Sequence, residues 1–256
     1  MCGLLPQFLL LPVATWAATL ALDLPANVEA AMILVACCPG GSLSNVVTHF
    51  GRGNTALSVS VSAVATLLAL VLTPFDFTWM VASNPATAGW LRQLDIDPLA
   101  IWWSLLALLA LPMAPGLLCS QHLPALAERL RRPLARFSLL ALLALLAFIV
   151  LGLVRERHLL NAQILPQPGI VVPHNAAGLA LGWAAAMAFR VSERDRRAVM
   201  IGGGMQNAGS ALGIIAVQFN ADLGRVFIAS LWGIWHIVSG MSLALLWRRK
   251  DARLAH

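Results

Sequence analysis

Long apolar runs, separated by short polar or arginine-bearing stretches, make up almost the entire chain. A helix needs about 20 apolar residues to cross a bilayer. On that rule eight spans are predicted, near residues 4–22, 28–48, 55–75, 99–119, 136–154, 169–189, 196–218 and 224–247. Two of these runs are interrupted near their middles. In the second span, Pro39, Gly40 and Gly41 follow Cys37 and Cys38 and precede Ser42, Ser44, Asn45 and Thr48. Pro39 has no backbone donor and the glycines weaken the turn after it, so the helix is expected to break there. In the seventh span, Gly202, Gly203 and Gly204 run into Met205, Gln206 and Asn207, again flexible backbone followed by amides. The pattern predicts an all-α membrane protein of about eight transmembrane helices.

Backbone freed at such breaks cannot face lipid, where each unpaired group is costly, so it must line a cavity enclosed by protein. Paired interrupted helices dressed with neutral oxygens are how secondary transporters build a midplane site for a cation and its substrate. Spans 1–3 (residues 1–75) and spans 6–8 (169–247) each hold a break in their middle member. Two Leu/Ala-rich spans (99–154) lie between them and read as a panel-like scaffold facing lipid and each other. The expected architecture is an inverted repeat of two three-helix units whose broken helices cross at the midplane, followed by a tail at 248–256. Ser58 and Ser62, one turn apart on one face of span 3, are placed to meet Ser44 and Asn45. The same serines would also suit a tight helix–helix interface. Gln7, alone in an apolar run, and Gln206 with Asn207 carry amides that are costly to bury unpaired. Among His49, His174 and His236, a satisfied structural role is the commoner one, and His236 is the most cavity-like because its span follows the second break.

Composition narrows the class further. The 256 residues are 59% hydrophobic and 11% charged, against about 25% charged in soluble domains. The first 22 residues have no basic start, so they read as a span rather than a removable signal. Arginines cluster after the fourth span (129, 131, 132, 136), after the sixth (190, 194, 196, 197) and in the tail, with Arg52 after the second. The positive-inside rule then places these connections and both termini on the cytoplasmic side of an inner-membrane, multi-pass protein. The +6 charge is thus spent on topology and does not suggest nucleic acid. All eleven Asp and Glu fall in predicted connections or at span ends, which argues against a carboxylate proton relay at mid-membrane. No HExxH, GxSxG, P-loop or metal-spaced Cys/His cluster occurs, and Cys2, Cys37, Cys38 and Cys119 have no CxxC spacing. An enzyme is not expected.

At the two breaks the chain resembles the bile acid:sodium symporter family. The residues are Cys38-Pro39-Gly40-Gly41 with Ser44-Asn45, then Ala56-Leu57-Ser58, then Met205-Gln206-Asn207, supported by Pro173-His174-Asn175 through Gly178 and Gly182. The resemblance covers nearly the whole chain and starts at the family's third helix. It implies a core domain of two crossed broken helices and a panel that keeps spans 4 and 5 without the family's first two helices. Carried over by position, it implies one sodium site at Ser44, Asn45, Ser58 and Ser62. A second would use Gln7, Gln206 and the carbonyls of Gly203 and Met205. Asn207 and His236 match substrate-cavity positions, Thr48 is expected to bind substrate with them, and Pro39, Gly40, Gly41, Gly202 and Gly204 break the helices. Gly202 stands where the family carries a Glu shared by both ions, which leaves a single sodium held by neutral oxygens. The implied function is sodium-coupled import of a small organic anion, bile-acid-like or another monocarboxylate, by alternating access, with sodium as coupling ion and no other cofactor. Two alternatives stay open: sodium-independent or proton-linked carriage through His174 or His236, and a truncated, non-transporting membrane protein.

Overall fold

The computed structural model describes residues 2–22, 24–93, 98–155, 168–218 and 223–254, and every regular element among them is helical. A π-helical turn, Pro6–Leu10, leads into α1 (Leu11–Leu22). The second apolar run is split into α2 (Ala26–Cys37) and α3 (Ser42–Phe50). Then come α4 (Thr55–Ser83), α5 (Pro85–Gln93), α6 (Pro98–His122), α7 (Pro124–Arg155) and α8 (Pro168–Ala188). The seventh run is split as well, into α9 (Glu193–Gly204) and α10 (Ala208–Gln218), before α11 (Leu223–Leu254). Three described stretches are long and apolar enough to cross a membrane: Thr55–Ser83, Pro168–Ala188 and Ile228–Leu254. Pro6–Leu22 and Ala26–Cys37 are shorter apolar helices.

A helix that is apolar on all sides must be surrounded by protein or lipid. For α2 it is protein: residues 28–40 are all buried. Ile33 and Val35 of α2 share one core with Phe77 of α4, Ile214 and Ile215 of α10, and Ile228 and Trp232 of α11. A smaller cluster joins Val47, Leu179, Ile201, Met205 and Ala244. Small residues let α8 and α9 touch backbone to backbone. A Cβ added at Gly178 would lie 2.8 Å from the Gly203 carbonyl oxygen, and one at Gly182 would lie 2.8 Å from that of Val199. By contrast α6 and α7 turn Trp103, Leu111, Leu118, Phe137 and Leu140 outward.

One end is tied by charge. The Arg197 guanidinium donates two hydrogen bonds of 2.8 Å to Asp251 and one of 3.0 Å to the Gly51 carbonyl. It also lies 5.4 Å from the Trp247 ring centre. Asn54 donates to Asp195 at 2.6 Å, and its backbone N–H reaches the Arg194 carbonyl at 2.9 Å. Hydrogen bonds from Asn54 and Ser192 hold the Asp195 carboxyl below its usual range. The loop 51–54, the start of α9 and the end of α11 therefore meet, and three arginine-bearing connections share one end.

Several boundaries differ from expectation. α4 continues past residue 75, α7 starts at Pro124 rather than near 136, and α11 carries residues 248–254 as helix. Arg, Lys, Leu, Ala and Glu are all good helix formers, so the helix outlasts the apolar run that announced it. α5 was not anticipated. The longer α4 also corrects the assignment of all carboxylates to connections or span ends. Asp76 lies inside α4, one turn beyond Thr73, whose hydroxyl donates to the Cys37 carbonyl at 2.7 Å. Asp76 is thus about one helical turn, roughly 5 Å, from the depth of the first break.

Candidate ion and substrate site at the helix crossing

The two breaks meet. After α2, Cys38 and Gly41 are extended (ψ 115° and 174°), and after α9 Met205 is likewise out of helix (φ −118°, ψ 81°). Gly40 and Gln206 form an isolated antiparallel bridge, and the Asn207 N–H donates to the Pro39 carbonyl at 3.0 Å. Backbone groups freed at one break are therefore paired with those freed at the other, which removes most of their desolvation cost. Close approach requires glycine at 40: a Cβ there would lie 3.1 Å from the carbonyl oxygens of both Gly202 and Met205.

Gln7 closes the arrangement. Its Oε1 accepts from the Gly40 N–H at 2.9 Å and its Nε2 donates to the Gly3 carbonyl at 3.0 Å. Pro12 explains the local distortion that presents it. Lacking an N–H, Pro12 cannot complete the regular ladder, and the Leu11 N–H instead reaches back to Pro6 in a π-type turn.

On the α4 side of the first break lies a cluster of neutral oxygens. Asn45 Oδ1 accepts from Ser58 Oγ at 2.7 Å and from Ser62 Oγ at 3.0 Å. With its proton given to Asn45, Ser58 Oγ is left to accept from the Thr48 hydroxyl at 3.4 Å, and Ser44 donates to the Gly41 carbonyl at 2.7 Å. Gln7, Ser44, Ser58, Ser62 and Gly202 line a void of about 10 Å³. That volume is about one probe sphere, enough for a single water-sized occupant. The second set is more open in its bonding. Gln206 Nε2 makes one long contact to the Gly203 carbonyl, at 3.5 Å, and its buried Oε1 has no partner. Asn175 donates to the Gly204 carbonyl at 2.6 Å, and its Oδ1 is also buried without a partner. Along the chain Asn175 stands out only as part of Pro173-His174-Asn175, with nothing to tie it to the break. An amide alone in an apolar run was the available signal.

Beside the crossing, a cavity of about 550 Å³ is lined by Pro39, Gly41, Ser42, Thr66, Asn207 and Ser210, among others, with Leu109 of α6 as a far wall. Both α3 and α10 begin at this cavity, so two positive half-helix ends face it. Asn207 Oδ1 caps α10 by accepting from the Ser210 N–H at 3.1 Å. Among the described residues, no Asp, Glu, Lys, Arg or His lines it.

Two of the three expected substrate residues lie elsewhere. Thr48 is fully buried within the Asn45–Ser58 cluster. His236 stacks on Trp232 with ring centres 5.0 Å apart and hydrogen-bonds the Trp232 carbonyl through Nδ1 at 3.0 Å. His174 is satisfied at both nitrogens. Trp232 Nε1–H donates to its Nδ1 at 2.8 Å, and its Nε2 meets Thr15 Oγ1 at 2.8 Å. The Thr15 hydroxyl proton goes to the Leu11 carbonyl at 2.7 Å. Nε2 must therefore donate, and the ring is neutral.

Residues 1–161 match the sodium bile acid symporter family. The "uncharacterized sodium-dependent transporter YocS" of Bacillus subtilis is 31% identical over 97% of this chain and 73% of its own length. The chain belongs to the sodium bile acid symporter family. The probable sodium/metabolite cotransporter BASS2 of Oryza sativa subsp. japonica is 33% identical over 97% of this chain and 56% of its own length. Human sodium/bile acid cotransporter 4 is 28% identical over 88% of this chain and 49% of its own length. The chain thus spans about half the length of these plant and human relatives. The symporter family consists of transporters, not enzymes. Gly202 lines the void among the oxygens, and a Cβ there would meet Gln7 Nε2 at 3.2 Å. Any carboxylate substituted at 202 would enter that space.

Proposed function

We propose that the protein is a secondary transporter that carries a small organic anion, bile-acid-like or another monocarboxylate, together with sodium by alternating access. The observation that supports this reading best is the Gly40–Gln206 pairing. It sets neutral oxygens on one side of the crossing and two half-helix N-termini on the other. In this reading eight helices cross the cytoplasmic membrane as an inverted repeat, with both termini cytoplasmic.

Sodium is a hard cation that takes oxygen donors. Ser44, Asn45, Ser58 and Ser62 supply four, with Thr48 behind them. Gln7, Gln206 and the carbonyls of Gly203 and Met205 form the second candidate set. Two monovalent cations 4 Å apart repel by about 4 kcal/mol at an effective dielectric of 20, and among the described residues no carboxylate lines the void to offset this. One sodium per cycle is the expected stoichiometry. The anion lies in the cavity beside Asn207, held by the half-helix ends without a cationic side chain.

Uptake into proteoliposomes with sodium replaced by choline tests the coupling. Loss of uptake in choline, and in the Asn45→Ala variant with sodium, supports it. Undiminished uptake in both refutes it. Gly202→Glu should strengthen sodium-dependent uptake and sodium-induced thermal stabilisation.

One observation favours a second reading, proton-linked carriage. The buried Oδ2 of Asp76 has no hydrogen-bond partner, and this carboxylate lies about one turn from the depth of the crossing. The bonds around His174 leave no nitrogen free to take a proton, which leaves His236, bonded to the Trp232 carbonyl through Nδ1, and Asp76 as the groups a relay in this reading would use. Uptake in choline that rises with acidity and is lost in Asp76→Asn would select it.

A further inference from the structure

At the basic end, a groove of about 550 Å³ opens between α8, α9 and α11. It shares no lining residue with the cavity beside Asn207. Leu179, Ala180, Met200 and Leu243 form apolar walls, Trp183 and Trp247 flank it, and Arg196 and Arg197 sit with Glu193 at its head. Trp183 is 47% exposed, as suits an indole at a membrane–water boundary.

The two arginines are not equivalent. Arg197 is committed to Asp251, Gly51 and Glu193. Arg196 has only a 3.7 Å contact with Glu193, too long for a hydrogen bond, and its buried Nε has no acceptor. A guanidinium with unused donors is suited to bidentate capture of a phosphate. The surrounding field has the matching sign. Residues 190–197 and 248–254 carry eight basic side chains against Glu193, Asp195 and Asp251.

We propose that this groove binds an anionic phospholipid, its phosphate on Arg196 and an acyl chain along the apolar wall of α8 and α11. A soluble anion would use the arginine and leave the wall in water. A neutral lipid would cover the wall and leave the arginine unpaired. A lipid bearing net negative charge satisfies both, and basic pockets between helices at the membrane face are where such headgroups bind. The inference needs only that these helices lie in a membrane and is independent of what is transported. Bound there, the lipid braces α8 against α11 beside the Arg197 clamp.

The test uses the full-length chain in neutral detergent. Phosphatidylglycerol, phosphatidylcholine of the same acyl composition and glycerol phosphate are added separately. Thermal unfolding and lipid adducts in native mass spectrometry are read. Phosphatidylglycerol should raise the melting temperature by several degrees and give a retained adduct, while the other two give neither. Arg196→Gln should weaken phosphatidylglycerol binding about fivefold, the contribution of one basic residue at an anionic surface, and Arg196→Lys should restore most of it. Ala180→Trp, which fills the groove without touching the charge, should abolish the adduct. Equal shifts from both lipids, a full shift from glycerol phosphate alone, or phosphatidylglycerol binding unchanged in Arg196→Gln and Ala180→Trp would each overturn the proposal.

Discussion

The two helix breaks face each other but are stabilised differently. At 38–41 a proline ends α2, and the extended backbone is held by side chains brought from outside: Gln7 on Gly40, with Asn45, Ser58 and Ser62 bonded together nearby. At 205–207 no proline is needed. Three glycines end α9, two of them (Gly203 and Gly204) packed directly on α8 while Gly202 faces Gln7, and Asn175 donates to the Gly204 carbonyl. The first break is rich in side-chain oxygens that already have partners. The second is tight in its backbone yet leaves the buried Gln206 Oε1 and Asn175 Oδ1 without any. Such orphaned oxygens call for an explanation, and the sodium proposed above would be one.

That contrast can be broken most forcefully at the glycines. Gly178→Val places carbon atoms where the Gly203 carbonyl already lies 2.8 Å from a Cβ, and should cost about 3 kcal/mol or prevent folding. Gly41→Ala meets nothing closer than 3.7 Å at an ordinary φ of −86°, and should stay within about 0.5 kcal/mol of the parent. Chemical denaturation of the two variants side by side decides the matter. Equal costs would mean that the breaks are packed alike.

The glutamines sharpen the comparison at the next level. Gln7→Leu strips the acceptor from a buried N–H and should lower stability by about 2 kcal/mol, with or without sodium. Gln206→Leu loses one 3.5 Å contact and removes an unpaired oxygen. Its stability in choline should change by less than about 0.5 kcal/mol, while any stabilisation by added sodium shrinks. If both variants respond to sodium as the parent does, neither glutamine serves an ion.

Within the oxygen cluster, Ser62→Ala deletes a single hydrogen bond to a half-buried Asn45, worth about 1 kcal/mol. Ser58→Ala deletes two and should cost somewhat more. The order of their sodium-induced melting shifts should follow the same sequence.

The smallest effect lies outside the membrane region. The Asp195 carboxyl is held below its usual value of 3.8 by Asn54 and Ser192. A depressed folded-state value adds stability that is fully present above the unfolded value and is lost as pH falls through the folded one. Asn54→Ala should therefore narrow the gap between stability at neutral and at strongly acidic pH, on top of a pH-independent loss of about 1 kcal/mol because Asn54 Oδ1 also caps α4 by accepting from the Leu57 N–H. An identical acid limb in both proteins would show that this bond contributes nothing.

Much of this was legible along the chain. Apolar runs of membrane length, Pro39 with its glycines, and Gly202, Gly203 and Gly204 are local signals. Helix formation and helix termination depend on neighbours within a few residues, so the sequence by itself determined where helices run and where two of them stop. It also named most of the groups that converge, because a lone amide or hydroxyl in an apolar run has few other uses. What it could not carry was partnership. That Gln7 serves Gly40, that Thr48 turns to Ser58 while His236 joins Trp232, and that Asp76 lies inside α4 depend on rotations about helix axes and on where helices touch. Some of these partners are near in sequence, His236 and Trp232 four apart and Thr48 and Ser58 ten, but Gln7 and Gly40 lie 33 positions apart and are joined only by packing. Only the tertiary structure decided which freed backbone groups pair across the crossing, because the cost of leaving them unpaired in a low-dielectric interior is met by a partner that local sequence cannot specify.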